Sequence, residues 1–225
     1  MPVIVAANPK GGSGKSTSCL ILGTTLASKG ASVKIIDADP QHTIEQWSKG
    51  ASRYRDIVVT PTPGEDLTDL IDRLRTQVQF VIIDVQGTAN QEIAAAMSRA
   101  TLVLIPMRAK TADARVATRA IGLLRTQEKL FQRTIPHAIL FMANGTLIAT
   151  REEKEIRKTV SEARIPCLET SLNERTAFSH MFAQNLSLEE LTSSQTNGLE
   201  AAQANATAFA AEVTNLLRGA KENAA

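Results

Sequence analysis

The sequence predicts an α/β fold, a mostly parallel twisted sheet flanked by helices on both faces. Three observations predict it. Apolar runs that are continuous, not alternating, recur along the chain, as strands buried on both faces require. Stretches with helical spacing or helix-favouring composition separate most of them. Several runs also end on an acidic or turn-forming residue, where ligands gather in open parallel sheets.

Residues 3–7 form the first run, all Val, Ile and Ala, and residues 18–29 follow as a Pro-free helix stopped at Gly30. A second strand over 33–36 ends at Asp37, and a third over 57–60 is closed by Pro61 and Pro63. Leu67, Leu70, Ile71, Leu74 and Val78 recur at helical spacing. Strands over 80–83, 102–105 and 138–142 then end at Asp84, Pro106 and the Asn144-Gly145 pair, with an amphipathic helical stretch between the last two. A short run over 165–168 precedes two more helices. With 225 residues, no internal repeat and no long linker, the reading is one domain over 1–218 and a frayed Ala/Asn-rich tail over 219–225.

Composition bounds function. Hydrophobic residues at 43% and charged residues at 21% suit a soluble globular chain, and no apolar run approaches a membrane span. Aromatics at 4% argue against a base-stacking surface for single strands. A net charge of +2 leaves polyanion binding to a local patch. The two cysteines, Cys19 and Cys167, have no paired spacing, which argues against a disulfide or metal framework and for a cytoplasmic protein.

Between the first strand and its helix lies Asn8-Pro9-Lys10-Gly11-Gly12-Ser13-Gly14-Lys15-Ser16-Thr17. Glycines let backbone N–H groups close around phosphate oxygens, and the helix start adds the positive end of its dipole. Gly11, Gly12, Ser13, Gly14, Lys15, Ser16 and Thr17 are the nucleotide-binding candidates. Lys15 is placed to reach β- and γ-phosphates and Ser16 to ligate Mg²⁺. The general pattern G-x-x-x-x-G-K-[ST] requires a glycine where this chain has Pro9, and a second cation, Lys10, stands in the loop. Asp84, at the end of its strand, is a further Mg²⁺ candidate, since this ion takes carboxylates, phosphates and waters.

Residues 10–17 resemble the deviant Walker A motif of the ParA/MinD ATPases, and the small plasmid partition ParA proteins of the ParF type above all. The likeness extends through Asp37-Ala38-Asp39-Pro40-Gln41, which resembles the family's switch I, to Trp47-Ser48-Lys49. It implies ATP and ADP as ligands, Mg²⁺ as cofactor, and an ATP-sandwich homodimer in which Lys10 contacts the partner subunit's nucleotide. It also implies catalytic roles for Lys10, Lys15 and Asp39, with Asp39 the hydrolytic residue and Asp37 supporting the waters of Mg²⁺. By its position before Pro40, Asp39 could equally cap the next helix together with Asp37. Asn144 resembles the position that reads adenine, and an Asn-Gly turn explains it as well. Arg175 resembles a position near the nucleotide and dimer seam. After Asp84 the chain departs from the family's Asp-x-Pro-Pro, with Val85-Gln86-Gly87 instead.

Arg115, Arg119, Arg125, Lys129 and Arg133 fall on one face of a helical wheel, opposite Val116, Ala120, Leu123, Leu124 and Phe131. Such a stripe holds DNA backbones without base readout, or is a plain solvated face. Nonspecific double-stranded DNA and a centromere-binding ParB-like protein are the partners implied. The loop begins too early for a preceding helix-turn-helix domain, and residues 208–218 carry a single base, unlike a membrane-docking helix. The expected protein is therefore a cytoplasmic, nucleoid-associated partition ATPase. A positioning ATPase for a DNA-transfer complex or protein assembly is the alternative, and a metabolic ATP-dependent ligase is another.

Overall fold

The computed structural model describes residues 1–86, 91–143 and 149–222. Seven parallel strands form one sheet in the order β3-β2-β4-β1-β5-β6-β7. They are β1 (Val3–Ala6), β2 (Val33–Ala38), β3 (Val58–Val59), β4 (Phe80–Val85), β5 (Leu102–Arg108), β6 (His137–Ala143) and β7 (Leu172–Asn173). The helices are α1 (Lys15–Ser28), α2 (Thr43–Ser48), α3 (Leu67–Leu74), α4 (Gln91–Arg99), α5 (Thr111–Phe131), α6 (Arg151–Glu162), α7 (Thr176–Gln184) and α8 (Leu199–Glu222).

Successive strand residues point to opposite faces, and each face builds its own core. On one side Ile4, Ile35, Ile82, Leu104 and Leu140 pack with side chains of α1, α2, α7 and α8. On the other, Val5, Ile36, Ile83, Ile105 and Phe141 pack with α3, α4, α5 and α6. The result is a three-layer sandwich, as the continuous apolar runs require. Helix α1 is buried nearly all round, with Leu20, Ile21 and Leu22 each inaccessible, because the sheet covers one side and α8 crosses the other.

Strand order sets the position of the site. The chain leaves β1, builds β2 to β4 on one side, then crosses β1 to build β5 to β7 on the other. The carboxyl end of β1 thus lies at the switch point between β4 and β5, where open α/β sheets bind ligands.

Four expectations change in detail. β5 runs through Pro106 to Arg108. The carbonyls of Leu104 and Pro106 both face the β1 side, accepting from the Ala7 amide and the Asn8 side chain. The missing proline N–H therefore faces a position that β1 no longer occupies. The run over 165–168 makes only an isolated bridge, Ile139 to Cys167, and the seventh strand is the two-residue β7. β7 is held on its other side by Asn205 of α8, which accepts from the Asn173 amide at 3.1 Å and donates to the Ser171 carbonyl at 2.8 Å. Helix α1 begins at Lys15, three residues before the expected start, so Lys15, Ser16 and Thr17 are themselves helical. Finally, α8 continues through Gly219 to Glu222.

Candidate phosphate and cation site

The loop between β1 and α1 closes on two left-handed glycines, Gly12 at φ 68° and Gly14 at φ 99°. Gly14 is constrained twice, since a Cβ there would also lie 2.7 Å from the Met142 Cε. Asn8, 1% exposed, ties the loop to β5: its Nδ2 donates to the Pro106 carbonyl at 2.7 Å while its Oδ1 accepts from the Lys10 amide at 2.9 Å. Among the described residues the buried Ser13 Oγ has no partner, and Lys15, 6% exposed, reaches only the Lys10 carbonyl at 3.4 Å. A buried ammonium with one long hydrogen bond beside the start of a helix is a site prepared for an anion.

Asp37 and Asp84 stand side by side, paired in register across β2 and β4, and both are fully buried. Among the described residues, neither Asp84 carboxylate oxygen has a well-formed hydrogen bond. Burial pushes the Asp84 carboxyl up to about 7, and the Asp37 and Asp39 charges add to the rise, while the Ser16 hydroxyl and Lys15 oppose it. A buried carboxylate of this kind fits a cation, which would make its charge favourable.

Asp37 is committed differently. Its Oδ2 accepts from the Ile44 amide at 2.9 Å and the Glu45 amide at 2.8 Å, and its Oδ1 from the Asp39 amide at 3.2 Å. It caps α2, a task left open because His42, at the cap position with φ 50°, makes no side-chain cap. Burial raises its carboxyl above the ordinary range against the pull of those amides. The helix-capping reading thus holds for Asp37, whose bonded oxygens leave it a supporting place beside a cation. Asp39 is half-buried, turns back onto the Gln41 amide at 3.0 Å, and lines the cavity over the loop.

That cavity has a volume of about 390 Å³. The loop from Gly11 to Thr17 floors one end, with Asp39, Gln41 and Thr43 beside it. The rest is built by Met142, Leu172, Phe178 and Phe182 with two guanidiniums: Arg108 pairs with Glu174 at 3.5 Å, and the Nε of Arg175 is buried without a partner among the described residues. Arg175 is thereby brought to the cavity. Asn144, like residues 87–90, lies outside the described residues.

Lys10 has a partner that its sequence neighbourhood does not reveal. Its ammonium pairs with the carboxylate of Asp113, 4% exposed, in the first turn of α5. The only sequence signal for Asp113 is its acidity within a basic segment.

The basic stripe is partly as expected. Arg115, Arg119, Arg125 and Lys129 are exposed along α5. Arg133 is a correction: its guanidinium donates to the carbonyls of Met97 at 2.9 Å, Ser98 at 3.0 Å and Ala100 at 3.1 Å, closing the end of α4. The buried stripe of α5 is also turned slightly, onto Ala117, Ala120, Ile121 and Leu124.

A parallel sheet with a glycine loop at its switch point, two lysines, and buried aspartates at neighbouring strand ends defines a P-loop nucleotide-binding domain. Residues 4–188 match the description of the CobQ/CobB/MinD/ParA nucleotide binding domain, and the chain belongs to that family. It is 36% identical to the protein ParA of Rhizobium radiobacter over 211 residues, covering 93% of this chain and 95% of that protein. The ATP complex of Cyanothece McdA(D38A) superposes with a TM-score of 0.70 at 19% identity, over 95% of this chain and 96% of that one. The MinD cell division protein of Aquifex aeolicus superposes with a TM-score of 0.69 at 17% identity, covering 96% and 98%.

Proposed function

We propose that this chain is a DNA-partition ATPase that binds ATP with Mg²⁺, pairs with a second copy across the nucleotide, and hydrolyses ATP when a DNA-bound partner stimulates it. The observation that carries the reading is one glycine loop that carries both Lys10 and Lys15, near an Asp84 carboxylate without a well-formed hydrogen bond among the described residues. Lys15 and the loop amides hold the β- and γ-phosphates, and Ser16 and Asp84 are placed to hold the ion, with Asp37 behind them. Mg²⁺ there supplies charge neutralisation on the transferring phosphoryl oxygens. Asp39, on the cavity wall and only half-buried, orients the attacking water.

The relative named ParA, similar over nearly its whole length, supports partition as the task. A positioning ATPase with another cargo is the second reading, and the fold alone, shared with McdA, is compatible with either. ATP turnover tests the chemistry. Lys15→Ala should abolish ATP binding, whereas Asp39→Ala should bind ATP normally and lose turnover by about 10²-fold or more. Tight Mg²⁺·ATP binding by the first variant, or normal turnover by the second, overturns the assignment. A gel shift with unrelated DNA then separates a partition role from a cargo without DNA.

A further inference from the structure

Asp37 is held by α2, and α2 is held by something outside the cavity. Only Ile44 and Trp47 of its six residues are buried, and Trp47 does not line the site. Its indole, 1% exposed, donates from Nε1 to the Leu186 carbonyl at 3.2 Å, just beyond the end of α7. The chain after α2 then packs along the same segment. A Cβ on Gly50 would fall 2.2 Å from the Cβ of Asn185, the left-handed residue that ends α7. Glu190 closes the seam, accepting from the Ser52 hydroxyl at 2.6 Å, the Arg53 amide at 2.8 Å and the Ser187 amide at 2.9 Å. Burial raises the Glu190 carboxyl, but these three donors outweigh it and keep the group below its ordinary range.

The two elements joined by this seam both contribute to the lining of one cavity. Gln41 and Thr43 line it from the α2 side, and Phe178, Ser179 and Phe182 line it from α7. Across the short α2, the Ile44 and Glu45 amides bind Asp37 while Trp47 faces the seam. A shift of α2 therefore moves the amides that aim Asp37, and with it the Asp39 amide bonded to the same carboxylate.

We infer that Trp47 is a positioning residue: its hydrogen bond to Leu186 fixes α2 against α7, so that Asp37 and the Asp39 loop are held ready for the ion and the attacking water. This rests on the ATPase reading above. It goes further in assigning the ion's geometry to a seam behind α2, and in coupling the phosphate wall to the α7 wall.

Trp47→Phe keeps the apolar plug and deletes only the donor. In the full chain without nucleotide or metal, amide hydrogen exchange of a peptide covering residues 43–48 should accelerate by about tenfold, the scale of one lost buried hydrogen bond. The Kd of a fluorescent ATP analogue in EDTA should stay within about twofold of wild type, while the tightening produced by Mg²⁺ shrinks by about tenfold. Glu190→Gln, which loosens the same seam without touching the indole, should move both readouts in the same direction, and it carries the test should the Trp47 variant lose its cooperative melt. Unchanged exchange together with an unchanged Mg²⁺ effect overturns the positioning role alone. A wild-type protein whose ATP affinity ignores Mg²⁺ removes the reading of the ion site itself, and this role with it.

Discussion

Asp84 stands in an environment that a carboxylate does not prefer. It is 0% exposed, meets no well-formed hydrogen bond among the described residues, and stands in register with Asp37. Burial, reinforced by the neighbouring aspartates, raises it from 3.8 to about 7 in the folded chain. A raised acid binds its proton more tightly in the native state than in the unfolded one. The unfolded state therefore holds fewer protons between roughly pH 4 and 7, and stability falls as pH rises through that window. Metal-free Asp84→Asn should melt several degrees above wild type at pH 8, by about 1–3 kcal/mol, and the gap should close toward pH 4. Thermal melts at the two pH values decide this, and a variant no more stable than wild type at pH 8 would show that the carboxylate is compensated by a group of its own. Asp84 was legible in sequence because a strand of four apolar residues ends on it. Asp113 and Asn8 were not, because each acts through a contact about a hundred residues away, at separations of 103 and 98. Local chemistry identifies a phosphate loop, but only the completed sheet brings β5 and α5 beside it.

Elements were legible in proportion to the periodic or apolar signal they carry. The six longer or flanked strands stand in the sequence as apolar runs, whereas β7 offers only Leu172 and Asn173 and owes its place to β6 and Asn205. Boundaries were displaced where tertiary contact overrides the local signal, as when β5 passes Pro106. Helix α5 shows the same limit on its polar side. A helical wheel ranks Arg133 with the other bases, but the left-handed Gln132 ends the helix before it and turns its side chain to the carbonyls of α4. The two kinds of arginine are separable by experiment. Arg133→Ala should cost about 1–3 kcal/mol by leaving carbonyls unpaired, and leave DNA affinity unchanged. Charge reversal at Arg115 and Arg119, both exposed, should leave the melt within about 0.5 kcal/mol while weakening DNA binding and flattening its dependence on salt. DNA affinity that is untouched by the double reversal would move the proposed surface away from α5.

At the scale of the molecule, the pairing of Lys10 bears on the proposed assembly of two copies. Lys10 is half-exposed at 42% and pairs with the buried carboxylate of Asp113, inside its own subunit. If Lys10 serves the nucleotide of a second copy, that pair has to open, and buried Asp113 loses the one ion-pair partner it has among the described residues. On that reading the partner's triphosphate would compete with Asp113 for the same ammonium, and ATP, with more charge than ADP, would favour the open arrangement more. The pair is partly solvated, so its opening costs on the order of 1 kcal/mol, a few-fold in the ATP concentration needed for assembly. Asp113→Asn should accordingly lower that concentration a few-fold and allow some assembly with ADP, whereas Lys10→Ala should bind ATP as a monomer. Sedimentation across an ATP series reads both. Dimers of Lys10→Ala at wild-type ATP concentration would mean that the second lysine acts only within its own subunit. An Asp113→Asn protein that assembles as wild type does would mean that the ion pair exerts no hold on the equilibrium. Raising salt screens the exposed side of the pair, so the difference between Asp113→Asn and wild type should narrow from 0.05 M to 0.5 M salt.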